Sequence, residues 1–210
     1  MRLSLIGMSG AGKSHWASRL ENLGYRKISC DDLIADQLGP LLNSNGKSTL
    51  ELASWMGRPH EKKYPETQSK YLQLETKVVN KICDELENHS GKKEKIIVDT
   101  TGSVIYLDQN LIMRLRELTK TIYLKLPTSN PESAFETYLK DPKPMIWGDH
   151  YLPKPDEDAE SSLERCYKNL LKYRSIKYLD ISDYVIDYNI HHSPKVTPED
   201  FIRLIYKNIT

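Results

Sequence analysis

The sequence has little cysteine, almost no net charge and no long apolar run, and each shortage argues against a class of protein. Its cysteines are odd in number and far apart, without the spacing of a disulfide framework or a zinc site, at positions Cys30, Cys83 and Cys166. Thirty basic residues stand against 29 acidic ones, so the overall charge favours neither nucleic acid nor an anionic membrane as a partner. We therefore expect reduced thiols and a small molecule as the ligand.

No apolar stretch approaches the roughly 18 to 20 residues that span a bilayer. The apolar run at residues 3–6 is too short for a signal peptide. Together with the reduced thiols, this predicts a soluble, cytoplasmic protein. The length of 210 residues favours a single domain over residues 1–210, and no internal repeat or low-complexity tract is present. The expected assembly is a monomer or a homodimer.

Short apolar segments alternate with segments of helical periodicity along the chain. The predicted strands are 3–6, 25–29, 95–98, 121–126 and 184–187. The predicted helices are 13–23, 31–38, 48–56, 69–86, 108–118, 130–139, 161–178 and 198–205. Turn-forming residues and prolines predict loops at 39–47, 57–65 and 141–158. Because strands that alternate with helices form parallel sheets covered on both faces, the pattern predicts an α/β fold.

Residues 7–14 match the phosphate-loop pattern G-x-x-x-x-G-K-[ST] at every specified position. Glycines let the backbone amides turn toward phosphate groups, the lysine reaches the β- and γ-phosphates, and the hydroxyl of the last residue binds Mg²⁺. A predicted strand before the pattern and a predicted helix after it are the context that this loop requires. We expect ATP and Mg²⁺ as cofactors, with the nucleotide bound by Gly7, Ser9, Gly10, Ala11, Gly12, Lys13, Ser14 and His15.

Acidic residues follow two of the predicted strands, at the sheet edge where open α/β proteins bind ligands. Asp31 and Asp32 come after the second strand, and a carboxylate there can orient an acceptor hydroxyl and take its proton. Asp99 ends the third strand and is expected to bind Mg²⁺ together with Ser14. The alternative for these acids is that they cap the helices that follow them.

The phosphate loop and three further segments resemble the shikimate kinase family of P-loop kinases, within the nucleoside monophosphate kinase group. Those segments are 31–34, 171–178 and 182–187. The resemblance covers nearly the whole chain, and it implies a three-layer α/β sandwich with a five-stranded parallel sheet in the order 2-3-1-4-5. It also implies an acceptor-binding insertion at 40–75 and a lid-like loop at 140–160.

The same resemblance implies roles for individual residues. Asp31 matches the family's aspartate that contacts the acceptor hydroxyls, and Arg174 matches its carboxylate-binding arginine, so Arg174 is expected to bind an acceptor anion or the γ-phosphate. Lys143 stands where the family's lid has an arginine, and it is expected to reach the ATP phosphates when the lid closes.

Three features of the sequence depart from the family pattern. Ser29 replaces the family's first acceptor aspartate, Leu72 replaces an arginine, and the segment 101–103 reads Thr-Gly-Ser where the family has three glycines. We therefore expect transfer of the ATP γ-phosphate to a hydroxyl of a small polar metabolite other than shikimate. A nucleotide, gluconate or dephospho-coenzyme A type kinase is the alternative enzyme, and a non-catalytic nucleotide-binding module is the alternative outside the enzymes.

Overall fold

A five-stranded parallel sheet forms the centre of the protein. The computed structural model describes residues 1–39, 42, 49–89, 94–127 and 131–206. The strands are β1 (Arg2–Ile6), β2 (Arg26–Ser29), β3 (Ile96–Asp99), β4 (Lys120–Leu124) and β5 (Tyr184–Ile186). Their spatial order is β2-β3-β1-β4-β5, which confirms the predicted order. All five strands also lie within two residues of the predicted bounds.

The helices are α1 (Lys13–Glu21), α2 (Cys30–Leu38), α3 (Thr49–Met56), α4 (Tyr64–Asn88), α5 (Gln109–Leu118), α6 (Pro131–Lys140), α7 (Ala159–Ile181), α8 (Tyr188–His191) and α9 (Pro198–Tyr206). They cover both faces of the sheet, so the predicted three-layer α/β sandwich is confirmed. Within the described residues, no helix has both the length and the apolar composition that a membrane span requires.

Side chains that alternate along the strands build two separate apolar layers. On one face, Leu3 and Leu5 pack with α1 and α9. On the other face, Ile6 packs with helices that include α2, α4 and α7. The central strands are buried on both sides, which explains why they appear in the sequence as short, nearly continuous apolar runs. The three cysteines are buried and unpaired.

Two helices differ most from the sequence prediction. Helix α4 begins at Tyr64 and not at residue 69, because Pro65 lies in its first turn, where the missing amide of proline costs no hydrogen bond. Helix α8 is a single turn directly after β5. It is too short to show an apolar periodicity in the sequence. The predicted loop at 39–47 lies outside the described residues, apart from residues 39 and 42.

The predicted lid region contains a buried segment. Met145, Ile146 and Trp147 are each at most 4% exposed. The backbone amide of Trp147 donates to the Tyr64 hydroxyl at 2.8 Å and to the Gln68 side-chain oxygen at 3.1 Å. This part of the region is therefore fastened to the start of α4.

A stacked aromatic pair holds the last helix against the helix that follows the phosphate loop. The rings of Trp16 and Phe201 lie 4.2 Å apart, and both side chains are at most 1% exposed. We expect Phe201→Ala to lower the free energy of unfolding by about 3–5 kcal/mol, because it leaves a cavity beside Trp16. Tyr206→Ala, on the exposed side of α9, is the control and should change it by less than about 0.5 kcal/mol. If urea denaturation shows that the two variants lose equal free energy of unfolding, this packing is contradicted.

Candidate active site

The phosphate loop, residues 7–12, joins β1 to α1 with a backbone that requires glycine. Gly10 and Gly12 have φ angles of 83° and 85°, in the left-handed region that other residues avoid. At Gly7, an added Cβ would lie 2.6 Å from the carbonyl oxygen of Leu124 on β4. The glycines of the sequence pattern are therefore needed for the shape of the loop and for its approach to the neighbouring strand.

The loop offers amides that can receive an anion. The amide of Ala11 donates to the carbonyl of Met8 at 3.1 Å, within the loop itself. The amides of Ser9, Gly10 and Gly12 make no hydrogen bond to another described part of the chain. They lie at the N-terminus of α1, where the helix dipole adds partial positive charge. A triphosphate fits this arrangement.

Lys13 is folded back over the loop. Its ammonium group donates to the carbonyls of Gly7 at 2.8 Å and Met8 at 3.1 Å, and its residue is 7% exposed. Burial lowers the pKa of Lys13, and the charges of Asp99 and Asp31 oppose this effect. The structure thus brings the lysine and the two predicted acids of the site within electrostatic reach of one another.

Asp99 ends β3 beside the start of α1. Burial raises the pKa of its carboxyl group, whereas the charge of Lys13 and a hydrogen bond with the Ser14 side chain lower it. Ser103 occupies the N-cap position of the next helical turn and Asp108 caps α5, so the alternative that Asp99 caps the following helix is wrong. A carboxylate beside a hydroxyl is an oxygen donor set that suits Mg²⁺, with phosphates and water as the remaining ligands.

Asp31 lies in the first turn of α2, whose capping residue is Ser29. The Tyr71 hydroxyl on α4 donates to Asp31 Oδ1 at 2.8 Å. Burial raises the pKa of Asp31, and the hydrogen bond from Tyr71 and the charge of Lys13 counteract this increase. In the sequence, Tyr71 appeared only as an apolar position of the predicted helix 69–86. Its contact with Asp31 was not predicted.

A cavity of about 200 Å³ lies on the acidic side of the phosphate loop. The residues that line it are Ser14, Lys27, Ser29, Asp31, Asp32, Thr49, Leu52 and Asp99. Two of them, Thr49 and Leu52, belong to the segment predicted as an acceptor-binding insertion. Three, Lys27, Ser29 and Asp32, also line a groove of about 530 Å³ beside the edge strand β2. The small cavity thus extends toward the edge of the sheet.

A second cavity, of about 230 Å³, lies on the opposite side of the loop, at Ser9 and Gly10. Its wall is rich in aromatic rings, from Tyr138, Tyr167, Tyr188 and His192, and it contains Lys143 from the predicted lid. The ammonium group of Lys143 forms an ion pair with Asp141 at 2.8 Å.

Six predicted site residues line neither cavity. Four of them belong to the phosphate loop and the first residue of α1, namely Gly7, Ala11, Gly12 and Lys13, and the other two are His15 and Arg174. His15 is exposed on α1. Arg174 is 1% exposed and lies behind the loop, where Nη1 donates to the Gly102 carbonyl at 3.1 Å and Nη2 donates to the Ile146 carbonyl. Arg174 Nη1 also lies 3.5 Å from the sulfur of Met8. Within the described residues, Arg174 Nε has no hydrogen-bond partner.

Solved structures with this fold include shikimate kinases. The enzyme from Acinetobacter baumannii, in complex with shikimate, is 21% identical with a TM-score of 0.59, over 99% of this chain and 91% of that one. The enzyme from Aquifex aeolicus is 17% identical with a TM-score of 0.55, over 100% and 96% of the two chains. The enzyme from Bacteroides thetaiotaomicron is 15% identical with a TM-score of 0.61, over 100% and 98%. At these identities the likeness shows a shared fold.

A search of curated protein sequences gave no match. A family model described as an AAA domain matches residues 3–126, which is more than half of the chain. The matched region runs from β1 to just beyond β4 and includes the phosphate loop, Asp31 and Asp99. The chain therefore belongs to this AAA domain family of P-loop proteins, and it has the fold of the shikimate kinases.

Proposed function

We propose that this protein is an ATP-dependent phosphotransferase that moves the γ-phosphate to a hydroxyl of a small polar metabolite. One observation carries the proposal: the phosphate loop lies between two cavities of different chemistry. The cavity at Ser9 and Gly10 has aromatic rings and a lysine, which suit a nucleotide. The cavity at Ser14 has carboxylates, which suit an acceptor that gives up a proton.

On the nucleotide side, the triphosphate occupies the loop and the base occupies the aromatic cavity. The rings of Tyr188 and His192 stack on each other with their centroids 4.3 Å apart, so a base would stack on an outer face of this pair. Lys143 lines this cavity together with Ser9, so its ammonium group can exchange Asp141 for a phosphate oxygen. Lys13 likewise exchanges the carbonyls of Gly7 and Met8 for phosphate oxygens.

The residues that would hold Mg²⁺ are Ser14 and Asp99, whose side chains line the acidic cavity together. When bound there, the ion supplies positive charge to the phosphate oxygens. Besides Lys143, positive charge at the phosphates comes from Lys13 and from Arg174. We assign Arg174 to the γ-phosphate and not to the acceptor, because it lies against Met8 of the loop and lines no part of the acidic cavity.

On the acceptor side, Asp31 orients the hydroxyl and takes its proton. The acceptor oxygen forms a bond to the γ-phosphorus as the bond from that phosphorus to the β-γ bridging oxygen breaks, and the hydroxyl proton passes to the Asp31 carboxylate. The Tyr71 hydroxyl donates a hydrogen bond to Oδ1 of Asp31 and thereby holds the carboxylate in place.

The acceptor in this proposal is not shikimate. Leu72 stands at the position where the family has an arginine, and the described wall of the acidic cavity contains three carboxylates and one lysine. A carboxylate ligand in this wall would be poorly paired, and burying an unpaired anion is costly.

The central test is a phosphorylation assay with labelled ATP and a pool of small metabolites. We expect a labelled product with the wild type, and a rate at least about 100-fold lower with Lys13→Ala, because charge stabilisation of the transferring group is lost. Asp31→Asn should also abolish transfer, and Lys172→Ala, on the exposed side of α7, is the control. ATP binding without any product, and without an effect of Asp31→Asn, would identify a non-catalytic nucleotide-binding module. The identity of the product separates the metabolite kinase from nucleotide, gluconate and dephospho-coenzyme A type kinases.

A second prediction concerns pH. Asp31 must be ionised to accept a proton, so kcat/KM should rise with pH through the pKa of Asp31. The hydrogen bond from Tyr71 lowers that pKa. We therefore expect Tyr71→Phe to move the acid limb of the pH profile to higher pH, and Tyr173→Phe to leave it in place. A limb that stays unchanged or moves to lower pH in Tyr71→Phe would show that Asp31 is not the base.

A third prediction concerns the lid. We expect Lys143→Ala to raise KM for ATP about 10-fold, the value of one hydrogen bond to a charged group, with a smaller effect on KM for the acceptor. Lys154→Ala removes an exposed lysine from the same segment and serves as the control. If both variants change KM for ATP equally, Lys143 has no specific contact with the phosphates.

A further inference from the structure

A buried glutamate that the proposed mechanism does not use contacts the turn after β3, next to the phosphate loop. Glu75, on α4, is completely buried. Its two carboxyl oxygens each accept a hydrogen bond from a hydroxyl on the turn after β3, one from Thr101 and one from Ser103, the latter at 2.5 Å. Within the described part of the chain, no lysine or arginine forms an ion pair with Glu75. The two hydroxyls therefore replace a cation as the partners of this carboxyl group.

The residue between those hydroxyls is fastened to a different helix. The carbonyl of Gly102 accepts from Arg174 Nη1 at 3.1 Å and from the Tyr178 hydroxyl at 2.5 Å, and both donors lie on α7. The side chains of Thr101 and Ser103 thus tie the turn to α4, and the carbonyl of Gly102 ties it to α7. Three consecutive residues bridge the two helices.

The same turn lies against the phosphate loop. A Cβ added to Gly102 would be 3.3 Å from the amide nitrogen of Ser9 and 3.5 Å from Arg174 Nη1. There is little room for the turn to move toward the loop without displacing one of these groups. The position of this turn therefore limits where the phosphate loop lies at Ser9 and where the guanidinium group of Arg174 lies.

We infer that Glu75 is a positioning residue: through Thr101 and Ser103 it fixes the Gly102 carbonyl, which in turn holds Arg174 behind the phosphate loop. The catalytic part of this inference rests on the proposed function, in which Arg174 acts on the γ-phosphate. The geometric part, that Glu75 restrains Arg174, is independent of any reaction.

Replacing Thr101 tests the geometric part without removing the carboxyl group. Thr101→Val keeps the shape of the side chain and removes one hydroxyl donor, whereas Thr101→Ser keeps the hydroxyl. In protein labelled with ¹⁵N, the Nε–H signal of Arg174 is assigned by its loss in Arg174→Lys. We expect this proton to exchange with solvent about 10-fold faster in Thr101→Val than in the wild type, and at the wild-type rate in Thr101→Ser. If the exchange rate of this proton in Thr101→Val equals that of the wild type, the inference is overturned. The melting temperature of Thr101→Val is recorded in the same experiment.

A double-mutant cycle tests the catalytic part. We expect Thr101→Val to lower kcat about 10-fold in the wild type, equivalent to the loss of one hydrogen bond, and less than about twofold in the Arg174→Lys background. Additive losses would mean that Thr101 and Glu75 support the fold without acting through Arg174, and they would overturn the catalytic role. A wild type that transfers no phosphate to any acceptor contradicts the proposed function instead, and the exchange measurement then still decides whether Glu75 restrains Arg174.

Discussion

The site depends on the conformation of the short loop between β1 and α1. Two of its glycines adopt left-handed backbone angles, and a third lies so close to a carbonyl of β4 that no side chain fits. In the loop that these features shape, the amides of Ser9, Gly10 and Gly12 have no hydrogen-bond partner among the described residues and lie at the N-terminus of α1. Because β1 is the central strand of the sheet, the loop lies between β3 and β4: Gly7 lies against Leu124 of β4, and Gly102 of the turn after β3 lies near Ser9. The catalytic groups proposed here are all positioned relative to this loop.

Electrostatic balance is the second constraint on the site. Burial raises the pKa of both Asp31 and Asp99, and the charge of Asp99 raises that of Asp31 further. The charge of Lys13 opposes this effect at both acids, and the acids in turn oppose the loss of its proton. Lys13 and the two acids therefore support each other's charged forms against burial and against the repulsion between the two carboxylates, and these charged forms are the ones that metal binding and proton abstraction require.

Helix α4 connects the different parts of the site. Its first turn holds the buried segment at Trp147, Tyr71 holds Asp31, and Glu75 holds the turn after β3. Spacings of four and seven residues place these side chains on one face of the helix. One helix thus sets the relative positions of the predicted lid, the proposed base and the support of the phosphate loop.

The sequence by itself determined the local features of this protein. The apolar runs identified every strand, and the glycine pattern with its lysine and serine identified the phosphate loop, because both depend on residues adjacent in the chain. The acids at 31 and 99 could be assigned to one edge of the sheet, since parallel strands end together there. Only the tertiary structure decided which groups face one another: that Tyr71 donates to Asp31, that hydroxyls pair with Glu75, and that Arg174 lies behind the loop and not in the acidic cavity. These contacts join residues far apart in the chain, and periodicity shows that a helical residue is buried without showing what it meets.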